Sequence, residues 1–227
     1  MILGVIADDF TGATDVASML VREGMRIVQV IGVPEGSLQC DAMQADAVVV
    51  ALKSRTIAAA DAVAQSLAAC VQLKAAGARQ IYFKYCSTFD STPAGNIGPV
   101  AEALAETLGA PIAIACPAFP ENGRTVFRGH LFVGDQLLSD SGMREHPLTP
   151  MTDANLVRVL QAQCQGAVGL LPYDVIGRGA AAARDALGAL AQRGVRLAVA
   201  DAIGNDDLRV LDEAVAELPL VMAGSGV

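Results

Sequence analysis

Tryptophan is absent from this 227-residue chain, and phenylalanine and tyrosine bring the aromatic share to only 4%. Any core must therefore be filled by Ala, Val, Leu and Ile. That composition suits parallel strands buried on both faces by alanine-rich helices. Charge is also scarce: 18% of residues are charged against 53% hydrophobic, the reverse of the balance that keeps a chain disordered. Basic runs are missing and the net charge is −8. Nucleic acid, which demands clustered Lys and Arg against its phosphates, is excluded as a partner. No apolar stretch approaches the roughly 20 residues of a membrane span, so no membrane partner is expected. No basic segment precedes the first strand-like run, so no signal peptide is expected and the expected location is cytoplasmic.

Cys-x-x-Cys pairs are lacking too. The five cysteines (Cys40, Cys70, Cys86, Cys116 and Cys164) are widely spaced, and only His130 and His146 accompany them. Reduced thiols are expected, with no metal site. No Walker A sequence occurs, so no nucleotide-binding residues are expected within the chain. Gly177-Arg178-Gly179-Ala180-Ala181-Ala182 fits a dinucleotide-binding pattern, and Asp201 ends the next strand. However, Pro172 to Ile176 part those glycines from the preceding strand, and the start of an alanine-rich helix is the better reading.

What is present is a rhythm of apolar runs and alanine-rich segments. The length suits one large α/β domain or two small ones. Strands are predicted at Ile2–Ala7, Arg26–Ile31, Ala47–Leu52, Gln80–Lys84 and Pro111–Ala115. Helices are predicted over Gly12–Glu23, Ile57–Ala76 and Ala94–Leu108 between them. From Cys116 to Pro150, Pro, Gly and Asn interrupt the pattern. There a β-hairpin over Thr125–Phe127 and His130–Val133 is expected, then a long ordered loop of the kind that tends to be functional. Helices at Asp153–Gln163, Gly179–Arg193 and Asp206–Glu217 then alternate with strands at Ala167–Leu171, Arg196–Ala200 and Leu220–Ala223. Asp153 and Asn205 sit at N-cap positions. The prediction is an α/β fold: a mostly parallel sheet in an α/β/α sandwich with a β-hairpin excursion. Gly224-Ser225-Gly226-Val227 begins a glycine loop after the last strand, and further chain is expected beyond it.

Ligands of open α/β sheets sit beyond the carboxyl ends of the strands. Asp8 and Asp9 stand there, after the first strand, with Thr11 as the expected N-cap of the next helix. An Asp at that positive helix end stays ionised and can hold sugar hydroxyls or accept a proton; as turn formers, the same residues have no ligand at all. After the fourth strand, Lys84-Tyr-Cys-Ser-Thr-Phe-Asp-Ser-Thr92 packs one cation, one acid and several hydroxyls into nine residues. Lys84 ends an apolar strand and needs an anionic partner. Ser87, Asp90, Ser91, Thr92 and the nearby Asn96 suit a polyhydroxy carboxylate. The alternative is a loop in which Asp90 or Ser91 caps a helix. Lys53-Ser54-Arg55 ends the third strand and either completes an anion pocket or is a solvated loop. Arg124, after Pro117-Ala-Phe-Pro-Glu-Asn-Gly123, either reaches the same crevice or belongs to a rigid turn. His146, before a proline, reads as structural. A phosphatase of the haloacid-dehalogenase type would need a second Asp two positions after Asp8, where Phe10 stands.

Ile6-Ala-Asp-Asp-Phe-Thr-Gly-Ala-Thr-Asp-Val-Ala17 resembles the opening signature of the four-carbon acid sugar kinases. Lys84-Tyr-Cys-Ser-Thr-Phe-Asp-Ser-Thr-Pro-Ala-Gly-Asn-Ile-Gly98 resembles their 3-oxo-tetronate branch, as do Cys116–Arg124 and Asp140–Pro150. The D-threonate branch follows its Asp-Ser-Thr with Arg-Gly, which Pro93-Ala94-Gly95 replaces here. The resemblance runs through nearly the whole chain. It implies a two-domain kinase whose amino-terminal domain, here residues 1–227, binds the sugar acid. The ATP site, with Mg²⁺, is expected on a second domain beyond residue 227. The implied reaction transfers phosphate from ATP to the 4-hydroxyl of a 3-oxo-tetronate. In that reading Lys84, with Arg55 or Arg124, holds the carboxylate; Asp8 and Asp90 orient hydroxyls; and Asp9 is the most plausible base. A non-catalytic sugar-acid binding module and a Mg²⁺-dependent phosphatase are the alternatives. A homodimer is the expected assembly.

Overall fold

The computed structural model describes residues 2–36, 38 and 44–227; Cys40 lies outside them. The chain alternates as the apolar runs predict. Strand β1 (Leu3–Ala7) leads to helix α1 (Phe10–Arg22), then β2 (Ile27–Ile31), β3 (Ala47–Ala51), α2 (Ala59–Ala75), β4 (Gln80–Lys84), α3 (Ile97–Thr107) and β5 (Ala113–Cys116). After the hairpin region come α4 (Leu156–Gln161), β9 (Ala167–Leu171), α5 (Tyr173–Ile176), α6 (Ala180–Gln192), β10 (Val195–Ala200), α7 (Asn205–Val215) and β11 (Leu220–Ala223).

Among the described residues these strands form one eight-stranded sheet in the order β2-β3-β1-β4-β11-β5-β10-β9. Every pair in it is parallel. The central strands are apolar on both faces; all five residues of β3 and all four of β5 are buried. Helices α2 and α3 pack together, as do α6 and α7. Right-handed crossovers put α1 on the face opposite α2, because the β1-to-β2 and β3-to-β4 connections run in opposite directions across the sheet. The fold is thus an α/β/α sandwich.

The excursion is a three-stranded antiparallel sheet of β6 (Arg124–Phe127), β7 (His130–Val133) and β8 (Gln136–Leu137). Its tight turn is Arg128-Gly129, with φ of 49° and 73°, the left-handed pair that a two-residue hairpin demands. Asp201, fully buried at the end of β10, accepts from the backbone N–H groups of Arg128, Gly129 and Tyr173, each at 2.8 Å. It therefore ties the hairpin to the main sheet. This is the acid that the dinucleotide pattern offered for a ribose; its oxygens serve the backbone instead.

Three expected caps shift. Asp9, not Thr11, caps α1: its backbone is extended and its carboxylate accepts from Gly12 N at 2.9 Å. Asn155 replaces Asp153 at α4, because Asp153 turns back to accept from Asn155 N and to pair with Arg158. At α7, Gly204 is the cap, and Asp207 reaches back to the N–H groups of Ile203 and Gly204. At α1 and α4 the capping side chain accepts from a free helix N–H, whereas at α7 the bonds of Asp207 go to the backbone entering the helix.

Candidate ligand site at the strand carboxyl ends

The helix after β1 runs to β2 on one side, and the helix after β4 runs to β5 on the other. The sheet therefore reverses direction between β1 and β4, which is where open α/β sheets leave a crevice. Register aligns Ala7 of β1 with Lys84 of β4 and with Ala51 of β3, so Asp8, Lys53 and Lys84 emerge at neighbouring strand ends.

Arg55 is the centre of this cluster. Its Nε and Nη2 donate to both oxygens of Asp8 at 2.9 and 2.8 Å. Nη2 also lies 2.8 Å from Asp9 Oδ1, and Nη1 lies 3.5 Å from Asp90 Oδ2. Burial opposes the Arg55 charge, but the bonds to Asp8 outweigh it and hold the guanidinium charged above its ordinary range. Burial pushes Asp8 up, against the pull of Arg55. Asp9 uses Oδ1 for Gly12 and Arg55, which leaves Oδ2 without a partner among the described residues.

Lys84 is 3% exposed and its Nζ donates to Tyr85 O at 2.6 Å. No ion pair holds it among the described residues. Burial lowers its pKa, while Asp8 pulls the other way. Gly12 is what lets it approach: a Cβ there would stand 2.5 Å from Asp9 Oδ1 and 2.9 Å from Lys84 Nζ. The ammonium has three hydrogens and uses one on Tyr85, so it retains donors for an anion.

The loop after β4 is strained and over-determined. Phe89 and Asp90 both adopt left-handed backbone, φ 64° and 41°, a conformation that costs roughly 1–3 kcal/mol for such residues. Phe89 is buried edge-to-face on Tyr85, with centroids 5.4 Å apart, and Thr88 Oγ1 donates to Asp90 Oδ1 at 2.7 Å. Ser91 N donates to Met151 Sδ at 3.4 Å. Beyond this loop opens a cleft of about 240 Å³. It is lined by Arg55, Thr56, Asp90, Ser91, Thr92 and Asn96, with Leu148 and Thr149 on the far wall.

The structure thus brings Arg55, Asp90, Ser91, Thr92 and Asn96 to one cleft; Asp8, Asp9 and Lys84 do not line it, and Asp8 and Asp9 connect to it through Arg55. Asn96 is also a clamp, donating to the carbonyls of Ser54, Arg55 and Ile57. Through it the buried Ser54 belongs to the wall as backbone. Neither Asp90 nor Ser91 caps α3, whose N-cap position is Asn96. Lys53 and Thr11 are exposed, and Ser87 is half-buried; none of the three lines the cleft. Arg124 bonds the Asn122 carbonyl within its own turn and is likewise outside the cleft. His146 Nδ1 accepts from Thr149 N at 3.1 Å, a turn contact.

Sequence reasoning missed Gln163, Met151 and Thr149. Thr149 lines the cleft, and Met151 and Gln163 hold its wall from outside through Ser91 and Thr92; all three arrive only through the fold, although the 116–150 loop was long enough to flag Thr149 at its end. The carboxylates do not fit a Mg²⁺ seat: Arg55 occupies the space between Asp8, Asp9 and Asp90 that a cation would take. Nor does the α1 N-terminus fit a phosphate, since Asp9 already caps it.

Residues 3–227 match the family described as the sugar-binding N-terminal domain. This chain belongs to that family. A Burkholderia multivorans protein named 3-oxo-tetronate kinase is 66% identical over 226 residues, covering 100% of this chain and 52% of that protein. The chain spans about half the length of the curated relatives it matches. A Haemophilus influenzae crystal structure superposes with a TM-score of 0.95 at 52% identity, covering 98% of this chain and 53% of that one. A Bordetella bronchiseptica structure, a domain-swapped dimer with bound citrate, superposes at 0.79 with 29% identity, covering 99% and 55%. Among the described residues no helix is long and apolar enough to cross a membrane. Cys70, Cys86, Cys116 and Cys164 are free thiols.

Proposed function

We propose that this domain holds the sugar acid in an ATP-dependent kinase that phosphorylates a 3-oxo-tetronate on its 4-hydroxyl. The observation that carries this reading is Lys84: a buried ammonium with hydrogens to spare that does not itself line the cleft of about 240 Å³ but stands with Asp9 over Gly12, next to the Arg55 that does. Among groups this deep, it alone of the two cations has no carboxylate bound to it among the described residues, so it takes the sugar-acid carboxylate. Arg55 serves instead to hold Asp8, Asp9 and Asp90 in place. Asp90, Ser91 and Thr92 orient hydroxyls from the cleft wall. Asp9, with one free oxygen, accepts the proton of the 4-hydroxyl; Asp8, with both oxygens tied to Arg55, does not. The names of the relatives support the substrate class, and the Bordetella bronchiseptica structure with bound citrate, a hydroxy-carboxylate, is in keeping with it. ATP and Mg²⁺ belong outside these residues in this reading. A cytoplasmic setting and a homodimer complete it; free thiols and the dimeric Bordetella relative support them.

Calorimetry of the 227-residue chain tests this directly. Four-carbon sugar acids should bind, ATP should not bind strongly, and pure chain should show no turnover of ATP. Binding of sugar acids by this chain, with no kinase activity in a protein that joins it to a second domain like that of its longer relatives, would favour a non-catalytic binding module. ATP turnover by these 227 residues alone would place the nucleotide site in this domain and overturn the division of labour.

A further inference from the structure

Gln163 lies just beyond α4, 72 residues from Ser91 in sequence, and it reaches the wall of the cleft. Its Nε2 donates to Thr92 O at 2.8 Å and to Ser91 Oγ at 2.9 Å, and its Oε1 accepts from Gly98 N at 2.9 Å. A backbone N–H can only donate and a backbone C=O can only accept. Gly98 and Thr92 therefore fix which end of the amide is which, with no freedom to flip. Both Nε2 hydrogens are then assigned, one to each partner.

The consequence falls on Ser91. Its oxygen must accept from Gln163, so its own hydrogen is left over, and no protein acceptor takes it among the described residues. Ser91 is 4% exposed and lines the cleft. Two glycines make the arrangement sterically possible. A Cβ on Gly98 would stand 2.6 Å from Gln163 Cβ, and one on Gly95 would stand 1.9 Å from Ser91 Oγ.

We infer that Gln163 is a positioning residue that makes Ser91 a hydrogen-bond donor toward the cleft, selecting a ligand with an acceptor oxygen there, such as a ketone carbonyl. This rests on the proposed sugar-acid site and names one determinant within it. A ketone oxygen accepts without needing an acceptor of its own. A hydroxyl at the same position brings a hydrogen that also needs a partner, and leaving it unmet in a buried wall is costly.

The test titrates the chain with a 3-oxo-tetronate and with the corresponding 3-hydroxy acid, using thermal melts as the folding control. The unaltered chain should prefer the keto acid. Ser91→Ala, which leaves the bonds from Gln163 to Thr92 and Gly98 intact, should erase roughly five- to tenfold of that preference. Its affinity for the hydroxy acid should fall by less, so the ratio of the two affinities shrinks. Gln163→Glu keeps an acceptor for Gly98 but gives up the bond to Thr92 O and offers Ser91 an acceptor in place of a donor. The serine hydrogen then turns away from the cleft and the same selectivity is lost. A purely structural role would lower both affinities together and leave their ratio unchanged; that result, or an unchanged ratio in a folded Ser91→Ala variant, overturns the inference while leaving the sugar-acid site standing. Binding of neither acid by the unaltered chain overturns the site and the inference alike.

Discussion

Arg55 and Asp8 meet through two parallel bonds, Nε to Oδ2 at 2.9 Å and Nη2 to Oδ1 at 2.8 Å, in a place where Asp8 is almost wholly enclosed. A cation that its position in the sequence offers to an anionic ligand is therefore already engaged by the protein. It also reaches Asp9 and Asp90, so one guanidinium organises three carboxylates gathered from β1 and the loop after β4.

Replacing Arg55 by Met should leave those carboxylates without their cation. Breaking a buried pair from one side costs about 3–5 kcal/mol, and chemical denaturation should show a loss of that size. The sign of the pH dependence follows from Asp8, whose pKa burial already raises above its ordinary 3.8. A carboxyl raised in the folded state penalises folding when ionised, and acid relieves that penalty. The variant should thus regain stability relative to the unaltered chain as pH falls through the raised Asp8 value toward 3.8. A deficit that is constant with pH contradicts the account.

Lys84→Ala should weaken sugar-acid binding by roughly ten- to a hundredfold, the scale of a charge-assisted contact, with the melting curve retained. Burial lowers the Lys84 pKa, so the ammonium loses its proton at a lower pH than a free lysine. Affinity should fall as pH rises through that lowered value, below the ordinary 10.5. Lys84→Arg, which stays charged, should not show that decline. Unchanged affinity in a folded Lys84→Ala variant would move the anion contact to Lys53, Arg55 or Arg124.

Asp90→Asn should fold normally, because asparagine tolerates the left-handed backbone that this position adopts. It loses the charge facing Arg55 and one of its two acceptor oxygens. Overall affinity should change less than in Lys84→Ala, by about fivefold, while discrimination between a sugar acid and its deoxy analogue declines. Titration with such a pair of ligands reads the two effects separately.

Gly12→Ala separates stability from binding. Alanine in a helix gains about 1 kcal/mol over glycine, but its Cβ would push on Asp9 Oδ1, which caps α1, and on the buried Lys84 Nζ, and a lost cap costs about as much. Thermal melts should therefore show a net change of no more than about 1 kcal/mol. Calorimetry should show weaker sugar-acid binding, since both displaced heads belong to the site. Retained affinity would mean that the tight approach of Lys84 to α1 is incidental.

Much of this molecule is written in local pattern. The alternation of apolar runs with alanine-rich segments determined the parallel sandwich, because strands buried on both faces and helices buried on one leave different periodicities. The hairpin was legible from Arg128-Gly129 and Gly134-Asp135. The two motifs at Asp8–Asp9 and Lys84–Thr92 were legible as polar groups at the ends of apolar strands, where burial demands a partner. The caps were less so: Thr11, Asp153 and Asn205 were plausible, but which side chain reaches a free N–H depends on the backbone angle of the entering loop.

Only the tertiary structure decided what the charges do. Lys53 and Arg55 differ by two positions, yet one is exposed and the other sits among three carboxylates, because Asp8, Asp9 and Asp90 converge only when β1, β3 and β4 lie side by side. Arg124 bonds its own turn rather than the cleft, since β6 stands beyond the end of β10. Gln163 carries no local signal at all. Its amide meets Ser91 and Gly98 because the chain beyond α4 packs beside the amino end of α3, and a contact between segments so far apart is set by packing alone.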